Sequence, residues 1–177
     1  MRLHTFGHGT ADAVEIAGLV RGAAIEAVVD VRSIPKSRVH PHVWAERMAQ
    51  WVPDLSGAAY EWRPELGGFR RPAPESPNFA LCNPAFRGYA DYMQTVAFAA
   101  ALGALAEEAQ DRSVAIMCSE TLWWKCHRRL ISDALVLVYG ADVQHLVYAG
   151  NAQPHRVTEG ARLLPGGLVR YDNLTLR

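Results

Sequence analysis

Short β-branched or apolar runs alternate with helical spacing along most of this chain, and that alternation restricts the fold more than any other feature. Leu3–Phe6, Ala27–Val31, Ala58–Trp62, Val114–Met117 and Val143–Tyr148 read as strands. Between them, residues 11–21, 43–52, 86–110 and 126–139 carry apolar side chains at helical spacing. Strands separated by helices imply parallel pairing through right-handed crossovers. The expected fold is a single α/β domain over residues 1–177, a three-layer sandwich around a mostly parallel sheet of about five strands.

Local signals refine the boundaries. Thr10 is placed to cap the first helix, and Pro53 is expected to stop the second. The 86–110 segment is one helix, or two broken near Gly103. Arg63–Pro84 holds five prolines and a Gly-Gly pair, so it reads as a long loop, either a lid over a site or an inert surface segment. The tail, residues 151–177, offers an edge strand or hairpin through Leu168–Tyr171 after Pro165-Gly166-Gly167.

Composition excludes several classes. Lys+Arg and Asp+Glu number 18 each, so no global basic field holds nucleic acid, although a local patch can. No apolar run reaches the ~20 residues that span a bilayer, and the N-terminus lacks a secretory core. Three cysteines do not make a disulfide framework and are read as reduced thiols of a cytoplasmic protein. Cys82, in a Pro-rich loop without chemical company, reads as a small buried packing residue.

In parallel sheets ligands gather at the strand C-terminal edge, and here four strands end in polar groups: Gly7-His8-Gly9, Asp30-Val31-Arg32, Glu61-Trp62-Arg63 and Cys118-Ser119-Glu120. The first offers glycines, a histidine that titrates near neutrality and the free N–H groups of a helix N-terminus for an anion. An ordinary βα turn is the alternative. Asp30 and Arg32 share one face of a strand, where they pair or where Asp30 holds Arg32 toward a ligand. Ser37 and Arg38 follow in the loop, and Lys36 reads as surface charge.

Cys118, Glu120, Cys126, His127, Arg128 and Arg129 crowd into twelve residues. Three readings stay open. A metal site would use Cys118 and Cys126, but the Cys118-x7-Cys126 pitch is longer than usual. On a helix, Cys126 and His127 would also diverge by ~100°. A catalytic site would use Cys118 as nucleophile, with Glu120, His127, His8 or Asp30 moving or steadying protons. Pure packing is the third. In the catalytic reading Arg32, Arg38 and Arg128 hold an anion, and no cofactor is expected. Tyr60, Trp62, Phe69, Trp123 and Trp124 near the strand tips would stack on a base or seal the core.

Gly7-His8-Gly9, Asp30-Val31-Arg32-x-x-Pro35-x-Ser37-Arg38, Leu66-Gly67-Gly68, Phe86-Arg87-Gly88-Tyr89-Ala90 and Cys118-x-Glu120 … Cys126-His127-Arg128-Arg129 together resemble the DUF488 family of small prokaryotic proteins. The resemblance runs from about residue 3 to 148. It brings no established activity. It adds Gly67, Gly68 and Tyr89 to the candidate binding residues. Gly9 stands where the family often has Ser, and the spacer before Cys126 carries two tryptophans. The leading expectation is an enzyme acting on an anionic, phosphorylated ligand such as a nucleotide or a nucleic-acid end. A non-catalytic binding module and a metal or redox protein are the alternatives. No membrane partner is expected.

Overall fold

The computed structural model describes residues 1–173; Leu174–Arg177, the end of the tail considered above, lie outside the described residues. In chain order the elements are β1 (Arg2–Gly7), α1 (Ala13–Gly22), β2 (Ala27–Asp30), α2 (Ala45–Ser56), β3 (Ala59–Trp62), α3 (Pro84–Tyr92), α4 (Val96–Asp111), β4 (Val114–Cys118), α5 (Arg128–Tyr139), β5 (Asp142–His145), β6 (Gln153–Pro154), β7 (Ala161–Leu164) and β8 (Leu168–Tyr171). The main sheet runs β3-β2-β4-β1-β5-β6. Its first five strands in that order are parallel, and β6 is antiparallel to β5.

Alternation along the strands divides the core in two. Val28, Phe6, Ala115 and Met117 pack with Ile16 and Val20 of α1 and Met48 and Val52 of α2. Val29, Leu3, Val114, Ile116 and Cys118 face the other way, against Tyr89, Leu105, Leu130 and Ile131 from α3, α4 and α5. Cys118 therefore leaves β4 on the side where α5 begins. The chain leaves β1 for α1 on one face and leaves β4 for α5 on the opposite face. These two adjacent strands make a topological switch point, where an open parallel sheet leaves a crevice at its C-terminal rim.

The structure corrects several local expectations. Asp12 caps α1 in place of Thr10: its carboxylate accepts from Val14 and Glu15 N–H at 2.9 Å, and Glu15 returns a bond to the Asp12 N–H. Pro53 does not stop α2. The helix is anchored by buried Met48 and Val52 and closes four residues later at Gly57, whose φ of 78° suits glycine. The 86–110 segment breaks between Tyr92 and Val96, where Thr95 caps α4, and Gly103 lies inside that helix. α5 begins at Arg128, so Cys126 precedes it with extended backbone. Of the two alternatives for the tail, Leu168–Tyr171 takes the hairpin, pairing with Ala161–Leu164 apart from the main sheet, whose edge is taken by Gln153–Pro154. Cys82 is exposed and not a packing residue. Among the described residues no helix is long and apolar enough to cross a membrane.

Candidate functional site

The register aligns the strand tips: Gly7 lies beside Cys118, and Asp30 lies beside both Met117 and Trp62. The His8 N–H donates to the Cys118 carbonyl at 2.9 Å and the Gly9 N–H to the Ser119 carbonyl at 3.0 Å, so the β1–β4 ladder continues past both strands. Gly7 is required there, because a Cβ would fall 1.9 Å from the Glu120 carbonyl oxygen. The turn after β1 thus spends its N–H groups on β4, and α1 is capped by its own carboxylate. It is not the anion cradle that its glycines suggested.

A cavity of about 520 Å³ opens at this rim. His8, Arg32, Ser37, Gly68, Tyr89, Cys118, Glu120, Cys126 and His127 line it, drawn from segments far apart in sequence. Asp30 lies beneath, fully buried, and grips Arg32: Arg32 Nε donates to Asp30 Oδ1 at 2.8 Å, and Nη2 donates to the second oxygen and to the Val43 carbonyl. The Tyr60 hydroxyl adds a 2.6 Å bond to Asp30. Arg32 Nη1 remains on the cavity side, 3.3 Å from His8 Nε2. His8 Nδ1 lies 3.0 Å from the Gly9 carbonyl, which places its proton there and turns the Nε2 lone pair toward Arg32. Burial, and then the guanidinium, push the His8 imidazole down to about 4, so it is neutral at neutral pH.

The second wall holds the soft donors. His127 Nε2 lies 3.0 Å from the Val31 carbonyl, so that nitrogen carries the proton. Its Nδ1 lone pair faces Cys118 Sγ at 3.8 Å and Cys126 Sγ at 3.7 Å. The Cys126 backbone is extended (φ −118°, ψ 149°), which removes the helical divergence expected between Cys126 and His127. The hydrogen bond from Cys126, with His127 and Arg128 nearby, pulls the Cys118 thiol well below its ordinary range. Burial beside that thiolate pushes the Cys126 thiol well up.

Packing holds His127 from behind. Its ring lies 5.1 Å from the ring of Tyr89, whose hydroxyl donates to the Leu66 carbonyl at 2.7 Å. Gly67 and Gly68 serve close approach, not unusual dihedrals. A Cβ on Gly67 would sit 2.5 Å from Ser33 Oγ, and one on Gly68 would sit 3.0 Å from His127 Nδ1. The Ser33 hydroxyl donates to the Gly68 carbonyl at 2.7 Å and pins the segment. Further along this loop, Asp91 accepts from the Ala73 N–H, the Ser76 hydroxyl and the Asn78 amide. The loop is tied down along that stretch, while Phe69, with φ 58° and 91% exposure, stands at the cavity mouth.

Other expected residues sit elsewhere. Arg128 is 1% exposed, donates to the Thr121 carbonyl at 3.0 Å and does not line the cavity; it is a buried charge beneath the turn after β4. Arg38 is exposed and also lies outside the lining. Glu120 stands at the exposed rim, where its carboxylate accepts from the Leu122 N–H at 3.3 Å. Trp62 donates to the Arg32 carbonyl, and Trp123 stacks on His145 instead of facing the cavity. Lys36, His40, Lys125 and Phe86 do line it. Their signal was position alone: each belongs to a segment that follows a strand tip or flanks a motif.

Cys118, Cys126 and His127 place their ligand atoms within 4.8 Å of one another, close enough for one metal ion. The arrangement also suits proton transfer between a thiol and an imidazole. No curated protein and no solved structure matches the chain. A protein-family model described as "Domain of unknown function DUF488" matches residues 12–135, well over half of the sequence and inclusive of all the soft donors. The chain belongs to the DUF488 family.

Proposed function

We propose that this protein is an enzyme acting on a small anionic, phosphorylated substrate of nucleotide size, held in the cavity at the C-terminal rim of the sheet. The observation that carries this reading is convergence. Stretches of chain far apart in sequence bring a guanidinium, three imidazoles, two thiols and a carboxylate to one concavity. Its volume falls within the ~300–1,000 Å³ of small-molecule sites. Arg32, Lys36 and Lys125 supply positive charge to the lining, against Glu120 alone on the acidic side. Lys36 is only loosely engaged, 3.7 Å from Glu46. In this reading Lys36, Lys125 and the cavity-side Nη1 of Arg32, shared with His8, receive the anion. The Cys118–Cys126–His127 cluster supplies the reactive centre, and Glu120 at the rim moves a proton. Net neutrality favours a compact ligand, or the end of a nucleic acid, over an extended duplex.

Turnover of a panel of nucleotides and phosphate esters, followed by mass spectrometry, tests the reading. The Cys118→Ala/Glu120→Gln double variant is expected to lose activity by about 100-fold or more while still binding ligand. Full activity in that variant would remove the mechanism. Tight ligand binding without turnover in the wild type would make the protein a binding module instead.

A further inference from the structure

We infer that Cys118, Cys126 and His127 form a three-ligand site for a soft divalent transition ion of the zinc class, with a fourth coordination position open to the cavity. The inference deepens the function proposed above, and rests on it for its purpose, by naming what makes the thiol–imidazole cluster reactive. Its geometry stands independently.

Two thiolates and one imidazole are a zinc-type donor set. A tetrahedral ion with metal–sulfur bonds of about 2.3 Å and a metal–nitrogen bond of about 2.0 Å separates sulfur from nitrogen by about 3.5 Å. The two distances here are 3.8 and 3.7 Å. A catalytic thiol–imidazole pair needs one sulfur in line with the nitrogen. Here Nδ1 is almost equidistant from two, as a shared ion between them requires.

The imidazole is oriented as a ligand. Its Nε2 lies 3.0 Å from the Val31 carbonyl, so the Nδ1 lone pair is the one turned to the sulfurs. Metal-bound histidines characteristically give their other N–H to such an acceptor, which fixes tautomer and ring direction. Tyr89 and Gly68 confine the ring. Cys118 is fixed by the β4 register and Cys126 by the extended approach to α5, and their residues are 6% and 4% exposed. All three ligands line the same cavity as His8 and Glu120. An ion with three protein ligands and a cavity beside it has the layout of a catalytic site, whereas a structural site is closed by a fourth protein ligand. In that position the ion would polarise a substrate oxygen or acidify a bound water.

The test uses the full chain, purified under a thiol-free phosphine reductant. Elemental analysis should find one transition ion per chain. Metal-free protein titrated with Co²⁺ should develop tetrahedral d–d bands and thiolate-to-cobalt charge transfer, which Zn²⁺ abolishes. Cys118→Ser, Cys126→Ser and His127→Gln should each weaken Co²⁺ binding by more than the ~10–100-fold that loss of an outer-shell partner causes. Cys82→Ser, at an exposed thiol, should change nothing. Reduced wild type that shows no thiolate charge transfer overturns the inference, whatever becomes of the variants. So does Co²⁺ binding that survives in the Cys118→Ser/Cys126→Ser double variant, or two sulfurs recovered only as a disulfide that excludes metal after reduction. Calorimetry with AMP separates this from the proposed function. AMP bound by metal-free protein, and lost in Lys36→Gln, keeps the anion site and removes the metal from it. A metal-loaded protein that binds and turns over no phosphorylated compound keeps the metal and removes the substrate.

Discussion

Two clusters of histidine occupy the C-terminal rim of the sheet, one at the tips of β1, β2 and β4 and one at the tip of β5. In the second, the Thr5 hydroxyl lies 2.7 Å from His145 Nδ1, His145 Nε2 lies 3.0 Å from His155 Nδ1, and His155 Nε2 lies 2.8 Å from Asp133. Asp133 also accepts from the Thr158 N–H at 2.8 Å and the Tyr171 hydroxyl at 2.9 Å. The Trp123 indole closes the cluster, stacked on His145 at 4.2 Å. Every side-chain nitrogen and oxygen of Thr5, His145, His155, Asp133 and Tyr171 has a partner, and the chain of bonds ties β1, β5, α5 and the β7–β8 hairpin together. In the first cluster, His127 Nδ1 meets only two sulfurs, and a cavity adjoins it. Similar residue types therefore serve two ends. Full satisfaction marks a buried polar network as structural, and a directed lone pair beside open volume marks a candidate site.

The contrast can be broken at its strongest point with Asp133→Ala. This change leaves three buried donors without an acceptor and is expected to cost about 3–5 kcal/mol in urea unfolding. Ligand binding in the cavity should persist wherever the variant is folded. A loss below ~1 kcal/mol would show that the cluster is not a structural fastener.

A smaller effect comes from pH. Burial, with His155 and Arg128 adding repulsion, lowers the His145 imidazole from 6.5 to about 3. The unfolded chain then binds the proton first as pH falls. The contribution of His145 to stability should be constant above about 6.5 and decline from there toward 3, by up to about 1.4 kcal/mol per pH unit. His145→Gln should reduce the slope of that part of the profile in pH-dependent denaturation, and His8 and His4, also lowered by burial, keep the remaining slope. An unchanged profile would contradict the neutral, closed network.

The smallest stability effect is expected at the open cluster. Gly68→Ala brings a Cβ to 3.0 Å from His127 Nδ1, where a shift of a few tenths of an ångström relieves it. Unfolding should change by less than about 1 kcal/mol, as at an adaptable packing contact. The nitrogen NMR resonances of His127 should nonetheless move. Unmoved resonances would mean that Gly68 does not confine the ring.

Much of the frame was legible because it follows from local periodicity. The continuous apolar run Val114–Cys118, buried at every position, and the helical segments around it lead to a parallel sheet, and a parallel sheet places its tips on one rim. Asp30 and Arg32 could be paired from their spacing alone. The closed cluster was not legible, since His145, His155, Asp133 and Tyr171 carry no motif and meet only when α5 and the terminal hairpin pack together. Thr10 and Pro53 misled for a related reason. Asp12 two residues later offered a full capping box, and buried contacts from Met48 and Val52 outweighed the missing N–H of a proline near the helix end.

Sequence by itself determined the layered α/β architecture, the family and the rim where the candidate polar residues gather, because residue periodicity and element order dictate strand direction. Tertiary structure alone decided which polar groups enter the cavity. Arg128 turned back beneath the β4 turn, Lys36 and Lys125 came to the lining, and extended backbone at Cys126 brought two sulfurs and one imidazole nitrogen together. Side-chain direction at a strand-to-helix junction depends on the dihedrals of one or two residues, and packing on both faces of the sheet sets those dihedrals where no repeating pattern encodes them.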